Sequence, residues 1–308
     1  MTPEAVRALG RNQLLWVDVE RGPDDETVLE RVADVVGLAD AHVQRIGSDV
    51  GRARLTRAAD RIHLTLEALE EEDDGESSAR LVRREIDLIA APNLVLTVHA
   101  GRVEALHRFR DGLDGETRLG KLAAGDLLSS LVDEVFVGYF LVAEMIERDI
   151  DALDGRALHG QRGDDVLGDI VTLRRRIAFV RRTLAPHRDA LSTLAMPEMR
   201  VAETVGQPWP GLVDRLEGAM AAVESLRDSL LGTFDIYMGR VSQRANDVMR
   251  TLTLLSAVLL PAVVLAGVMG MNFKLPFFDE SANFWVIVAG MGGLAILILG
   301  LARWRRWI

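Results

Sequence analysis

The residues best placed to do chemistry sit at the end of an apolar run. It closes on Gly270-Met271-Asn272, which sets an uncharged amide where a helix-forming stretch stops. An amide oxygen is a neutral dipole. It can accept hydrogen bonds from the water shell of a cation and let that cation go, or it can cap a helix C-terminus. Upstream, Asn246, Met249, Leu252, Ser256, Leu260, Val263, Gly267 and Gly270 recur at spacings of three and four, so they share one helical face. In copies gathered around an axis, Asn246, Ser256, Gly267 and Gly270 would expose polar groups or backbone carbonyls. Met249, Leu252, Leu260 and Val263 would form hydrophobic rings that gate by dewetting. The same small residues also describe an ordinary helix-packing seam.

Other chemistries are poorly provided for. The 308 residues include no cysteine, which removes disulfides, thiolate metal sites and cysteine nucleophiles. No two of the six histidines have metal-ligand spacing on one predicted face, and no nucleophile motif or phosphate-cradling glycine loop stands out. An enzyme is therefore not expected, nor a resident cofactor. A net charge of −10 argues against nucleic acid as partner. The densest acidic run, Glu70-Glu71-Glu72-Asp73-Asp74, reads as a solvated polar loop or as a cation site.

The elements that must position these residues follow from hydropathy. Thr251–Met271 and Phe284–Ala302 carry no charge and reach the roughly 20 residues that cross a ~30 Å hydrocarbon core. A pair of buried core helices is the alternative. Arg240, Arg244 and Arg250 precede the first span, and Arg303, Arg305 and Arg306 follow the second, which predicts both termini on the cytoplasmic side of a lipid bilayer. The first residues lack the basic flank and apolar core of a signal peptide. Trp304 and Trp307 suit the inner headgroup belt, Phe284 and Trp285 the outer one.

The N-terminal part mixes strands with helices. "LLWVDV" reads as a buried strand, and strand pairs are predicted around Ala58-Ala59-Asp60 and around Ala91-Pro92-Asn93. From Lys121 onward the pattern is helical. Leu212, Leu216, Met220, Val223, Leu226, Leu230, Phe234, Tyr237, Val241, Ala245, Val248 and Leu252 form a coiled-coil-like stripe. A helix unbroken from Gly211 to Met269 would be ~85–90 Å long and would need partners along that stripe, so a homo-oligomer is expected. The expected organisation is an α+β cytoplasmic domain over 1–120, a helical region over 121–250 with its stalk from about 211, and a transmembrane domain over 251–308.

With these elements in place, the chain resembles the CorA-type magnesium transporters. The resemblance rests on "GMNF" between two C-terminal spans, on "DIYMGRVSQRANDVMRTLTLLSAVLLP", on "LRRRIAFVRRTLAPHRDALSTL" and on the early "WVDV", and it covers nearly the whole chain. It implies a funnel-shaped homopentamer with an α/β/α cytoplasmic sandwich, a pore lined by the first span, and Gly270, Met271 and Asn272 as the selective outer mouth. It implies passive Mg²⁺ uptake across the plasma membrane, with Co²⁺ or Ni²⁺ as further cargo. Asp235 matches an acidic position of the inner funnel, and Arg303, Arg305 and Arg306 match a basic collar; a solvated stalk carboxylate and the positive-inside bias explain them equally. The resemblance also implies Mg²⁺ sensing by carboxylates between subunits, with Glu72 or the adjoining Asp73 as the first ligand. The second falls on Gly211, and Asp214 is the nearest carboxylate. The loop "KLPFFDE" departs from the family's "MPEL": Pro276 remains, but Phe277 stands at the glutamate position. Zinc-transporting relatives also lack that glutamate, so a zinc transporter coupled to protons is the second reading. A membrane-anchored oligomeric sensor or scaffold is the third.

Overall fold

Apolar alternation broken by short polar turns gives the first half of the chain five strands. They are β1 Leu15–Arg21, β2 Arg54–Ala58, β3 Arg61–Glu72, β4 Arg80–Ala91 and β5 Leu94–Ala100. The helices are α1 Glu26–Val36, α2 Glu104–Leu113, α3 Ala124–His159, α4 Gly163–Leu194, α5 Trp209–Met269 and α6 Ser281–Trp304. The structure is a computed structural model and describes residues 13–22, 26–36, 46, 51–58, 61–72, 80–113, 123–159, 163–194, 209–271 and 281–305. The polar loop expected after Glu72, including Asp73 and Asp74, lies outside the described residues, as do Ala59 and Asp60 of the expected turn. The chain divides into two units, Met1–Phe234 and Asp235–Ile308.

In the first unit the sheet order is β1-β5-β4-β3-β2. The run β2-β3-β4-β5 is an antiparallel meander, and β1 joins it parallel to β5. Pro92 and Asn93 supply the tight turn between β4 and β5, as the sequence suggests. Two expectations change. "LLWVDV" is an edge strand of which Val19 alone is buried, because only one neighbour covers it. Glu70, Glu71 and Glu72 belong to β3 rather than to a loop, paired with Val82, Leu81 and Arg80.

Both faces of the central strands are buried, which is the sandwich expected. On one face Val19, Ile89, Leu94, Leu96 and Val98 pack with Ala33 and Val36 of α1 and with Ile46. Ile62, Leu64, Leu66, Ile86 and Leu88 of the opposite face are all at most 1% exposed, under α3 and α4. At that interface Phe136, Tyr139 and His187 meet edge to face or tilted. The Tyr139 hydroxyl donates to the Glu67 carbonyl at 2.7 Å, and the Glu67 N–H donates to His187 Nε2 at 3.1 Å.

Pro186 precedes that histidine inside α4. Proline lacks an N–H and loosens the helical ladder locally, and the His187 Nδ1–H donates to the Leu184 carbonyl at 3.1 Å. Both ring nitrogens are thus committed to the neutral form, and full burial lowers the His187 pKa from 6.5 to about 4. The consequence for pH has a definite sign. Above 6.5 the ring is neutral in the folded and unfolded states, and its contribution is complete. As pH falls from 6.5 to about 4 the unfolded chain takes up a proton that the folded chain refuses, so stability falls, by on the order of 3 kcal/mol. Chemical denaturation across that window should show the slope, and His187→Gln should flatten it.

The opposite balance ties down the edge strand. Burial works against a charged His99, but its bonds to the Asp18 carboxylate and the Gly101 carbonyl win and raise its pKa. Burial would likewise raise Asp18, and His99, Thr97 and Arg110 together lower it instead. Gly101 has φ +66°, so glycine is required at that acceptor. The pair holds β1 to β5, and Arg110 of α2 donates to Asp18 at 3.0 Å.

The first part of α5 completes this unit. Leu212, Leu216, Val223, Leu226 and Leu230 are at most 5% exposed. Arg215 pairs with Asp133 at 3.0 Å and lies over the Phe140 ring, while Arg181 of α4 pairs with Glu224 at 3.2 Å. The stripe predicted to need partner chains is, over this stretch, buried within the protomer.

Candidate functional site

The second unit holds the rest of α5 and all of α6. Gly211–Met269 and Phe284–Trp304 contain windows long and apolar enough to cross a membrane. Along α5 from Thr251 to Met269 the partly covered residues are Leu254, Val258, Pro261, Ala262 and Met269. Along α6 they are Ile287, Met291, Ala295 and Ile298, with Ala302 buried. The α6 series steps by threes and fours and the α5 series falls within about 100° of the wheel, so each marks one face of its helix. Phe284 and Trp285 meet edge to face near the start of α6, and Trp304 at its end is 81% exposed, as amphipathic rings at the two ends of a span would be. Trp307 lies outside the described residues.

The residues singled out on α5 lie elsewhere on the wheel. At ~100° per residue, Asn246, Met249, Leu252, Ser256, Leu260, Val263, Gly267 and Gly270 centre roughly opposite the covered face. All eight are exposed, Leu260 at 68% and Val263 at 66%. The polar side chains of this helix divide in a telling way. Thr251 and Thr253 donate back to the carbonyls of Asp247 and Met249 at 2.9 and 2.8 Å, so their hydroxyls are satisfied within the helix. The side chains of Asn246 and Ser256 make no hydrogen bond among the described residues. In hydrocarbon an unsatisfied polar group is costly; facing water or a neighbouring copy it is not. Asp235, Arg303 and Arg305 are also exposed.

The helix ends in a tightening turn. Gly270 N–H donates to the Ala266 carbonyl at 3.0 Å, and Met271 N–H reaches only three residues back, to Val268, at 3.2 Å. Gly270 is not in the left-handed region, and a Cβ there would meet the carbonyls of Ala266 and Gly267 at 3.5 Å, an ordinary contact. Glycine is therefore not needed for the turn; its small size leaves the helix surface bare. Asn272 lies outside the described residues, as do Lys274, Pro276, Phe277, Asp279, Glu280 and Arg306.

The acidic candidates belong to the first unit. Glu72 Oε1 accepts from Arg84 at 3.0 Å. Glu70 accepts the Glu104 N–H at 2.6 Å, a capping bond at the start of α2; burial raises its pKa despite that bond. Asp214 is exposed on α5, and at Gly211 a Cβ would meet nothing within 4 Å. Among the described residues no group of three or more histidine, aspartate or glutamate side chains could hold a metal ion. Sequence reasoning missed Arg84, whose position opposite the acidic strand depends on a hairpin register that composition does not reveal.

Comparison with known proteins adds the following. Residues 11–303 match the family described as CorA-like Mg²⁺ transporter protein. The cobalt/magnesium transport protein CorA of Thermotoga maritima is 30% identical over a stretch covering 61% of this chain and 54% of that protein, so just over half of that relative's length is spanned. The zinc transport protein ZntB of Yersinia enterocolitica is 24% identical over 83% of this chain and 76% of its own. The solved CorA magnesium transporter of Methanocaldococcus jannaschii superposes with a TM-score of 0.75 at 20% identity, covering 96% of this chain and 92% of that one. That likeness carries the fold.

Proposed function

The chain belongs to the CorA-like Mg²⁺ transporter family, a superfamily of divalent-cation transporters and not of enzymes, and from that premise we propose that it conducts hydrated Mg²⁺ into the cell through a homopentameric pore. The observation that carries the reading is the face of α5 opposite its partly covered residues, which is exposed throughout and holds the side chains of Asn246 and Ser256, without a hydrogen-bond partner among the described residues. Five such faces around an axis would line a path with polar positions at Asn246 and Ser256, apolar rings at Met249, Leu252, Leu260 and Val263, and small residues at Gly267 and Gly270. A ring of Asn272 amides at the outer mouth would hydrogen-bond to the ion's water shell without stripping it, which suits an ion that gives up water reluctantly.

No energy source beyond the membrane is needed. An inside-negative potential drives entry by about 2.3 kcal/mol per elementary charge per 100 mV, and by twice that for a divalent ion. Asp235 would raise the local concentration of cations at the inner end, and Arg303, Arg305 and Arg306 would set the cytoplasmic side. Both termini lie inside in this arrangement.

A proton-coupled zinc transporter is the second reading, favoured by the ZntB relative. Neither apolar run contains an ionisable residue, so a proton relay within the membrane has no side chain to use. The deciding measurement is flux into liposomes at controlled potential with Mg²⁺, Co²⁺, Ni²⁺ and Zn²⁺ compared. Potential-driven Mg²⁺ entry without proton dependence is expected. Zn²⁺ entry that requires a proton gradient, with no Mg²⁺ entry, would replace this reading with the second; no flux of any of the four would leave the scaffold.

A further inference from the structure

The acidic end of β3 sits in a groove of about 660 Å³ between the β3–β4 hairpin and helices α2 and α3. If the protein sensed cytoplasmic Mg²⁺ through Glu72, the groove should favour a divalent cation. Its side chains do not. Among the described residues, four arginines and four glutamates line it, so the acidic run faces a wall that carries cations of its own. Three of the four carboxylates are also committed, Glu71 being the exposed one without a partner among the described residues. Glu72 accepts from Arg84, Glu70 accepts from the start of α2, and Glu104 pairs with Arg102 at 3.1 Å.

The strand register makes the first of these pairs a built feature. β3 and β4 run antiparallel with Ala68 opposite Arg84 and Glu72 opposite Arg80. Glu72 and Arg84 lie on the same face because the side-chain period is two, and the long arginine stem spans the offset along the hairpin. A guanidinium does not titrate in proteins, so the cation is present at every pH. On α5 the position matched to the second sensing ligand is Gly211, which offers no donor. While Arg84 holds Glu72, the donors among the described residues do not fit a divalent ion.

We propose that Arg84 is a built-in counter-cation for Glu72: it neutralises the carboxylate that a sensing Mg²⁺ would bind, and makes this groove unresponsive to cytoplasmic Mg²⁺. The inference rests on the transporter reading for the expectation that such a site exists. Its physics is that of a ligand-shifted equilibrium. An ion moves the balance between two states only through its difference in affinity for them, and an ion excluded from both states moves nothing.

The test uses the purified full chain with Mg²⁺ alone as probe, Na⁺ at matched ionic strength as control, chymotrypsin cleavage rate as readout, and circular dichroism to establish folding. Between micromolar and millimolar Mg²⁺ the unaltered protein should change by less than about twofold, because ligand protection follows occupancy. Arg84→Gln should become Mg²⁺-dependent, with cleavage slowed about tenfold when Mg²⁺ is near ten times its Kd, and adding Glu72→Gln should abolish that response. Arg84→Met, which keeps much of the stem, is run beside it so that one misfolded variant does not end the test. Protection of the unaltered protein that Glu72→Gln removes would overturn the proposal. So would folded Arg84 variants that acquire no response. These rates do not depend on transport: a chain that conducts no cation would fail the functional reading while leaving the cleavage result interpretable.

Discussion

Replacing Asn272 with alanine is expected to lower Mg²⁺ flux into liposomes by on the order of a hundredfold while the assembly remains intact. Hydrogen bonds that involve a charged species contribute about 1.5–3 kcal/mol each. Five amides facing one hydrated ion would be lost together, and water refills part of the deficit. A net loss of roughly 3 kcal/mol at the limiting step gives about two orders of magnitude in rate. The competing role for Asn272 is a helix cap, since it follows the tightened turn at Met271. Asn272→Gly separates the two, because glycine caps a helix at least as well and offers no amide oxygen. If the ring selects the ion, Asn272→Gly conducts as poorly as Asn272→Ala; if the residue only caps, it conducts like the unaltered protein. Asn272→Asp adds a sharper check. Five carboxylates would hold the ion too tightly for release, so flux should fall and Mg²⁺ should block monovalent current. The collar is refuted by Asn272→Ala protein that keeps its oligomeric state and its full Mg²⁺ flux.

The parts of this fold that can be read locally were legible. The turn at Pro92 and Asn93 announces its hairpin through residues that fix backbone angles, and the apolar runs announce their helices through length and absence of charge. What depends on distant partners was not legible. "LLWVDV" has the composition of a central strand, yet it joins the edge of the sheet, parallel to β5, because the chain from β1 passes to the far edge before returning. The stripe from Leu212 to Leu252 has one period throughout, but Leu212, Leu216, Val223, Leu226 and Leu230 are buried within the first unit while Val241, Val248 and Leu252 are exposed. Periodicity reports a face; it does not report whether that face meets its own protomer or another. The acidic run shows the same limit. Glu72 is visible in the sequence as a carboxylate among carboxylates, and only the β3–β4 register reveals the guanidinium beside it. The face of α5 that carries Leu260 was legible for the opposite reason: an unbroken helix fixes angular position from residue number alone.

That face supports the other large prediction, which concerns the hydrophobic constriction. Leu260→Asn is expected to raise Mg²⁺ flux about tenfold without altering the preference for divalent over monovalent cations. A ring of leucines around a narrow axis excludes water, and an ion that keeps its shell must wet the ring in order to pass. Placing an amide there supplies hydrogen bonds to that water. Lowering the barrier by about 1.4 kcal/mol corresponds to tenfold in rate. Selectivity should persist because Asn272 is untouched. The control is the same change on the other side of the same helix. Leu254 belongs to the partly covered series and Leu260 to the exposed one, so Leu254→Asn puts an equal polar group against packed side chains and not into the path. It should lower the thermal midpoint of the assembly and leave flux no higher than in the unaltered protein. Equal flux gains from both substitutions would mean that neither face is the lining, and that the helix is rotated about its axis relative to the pore described above.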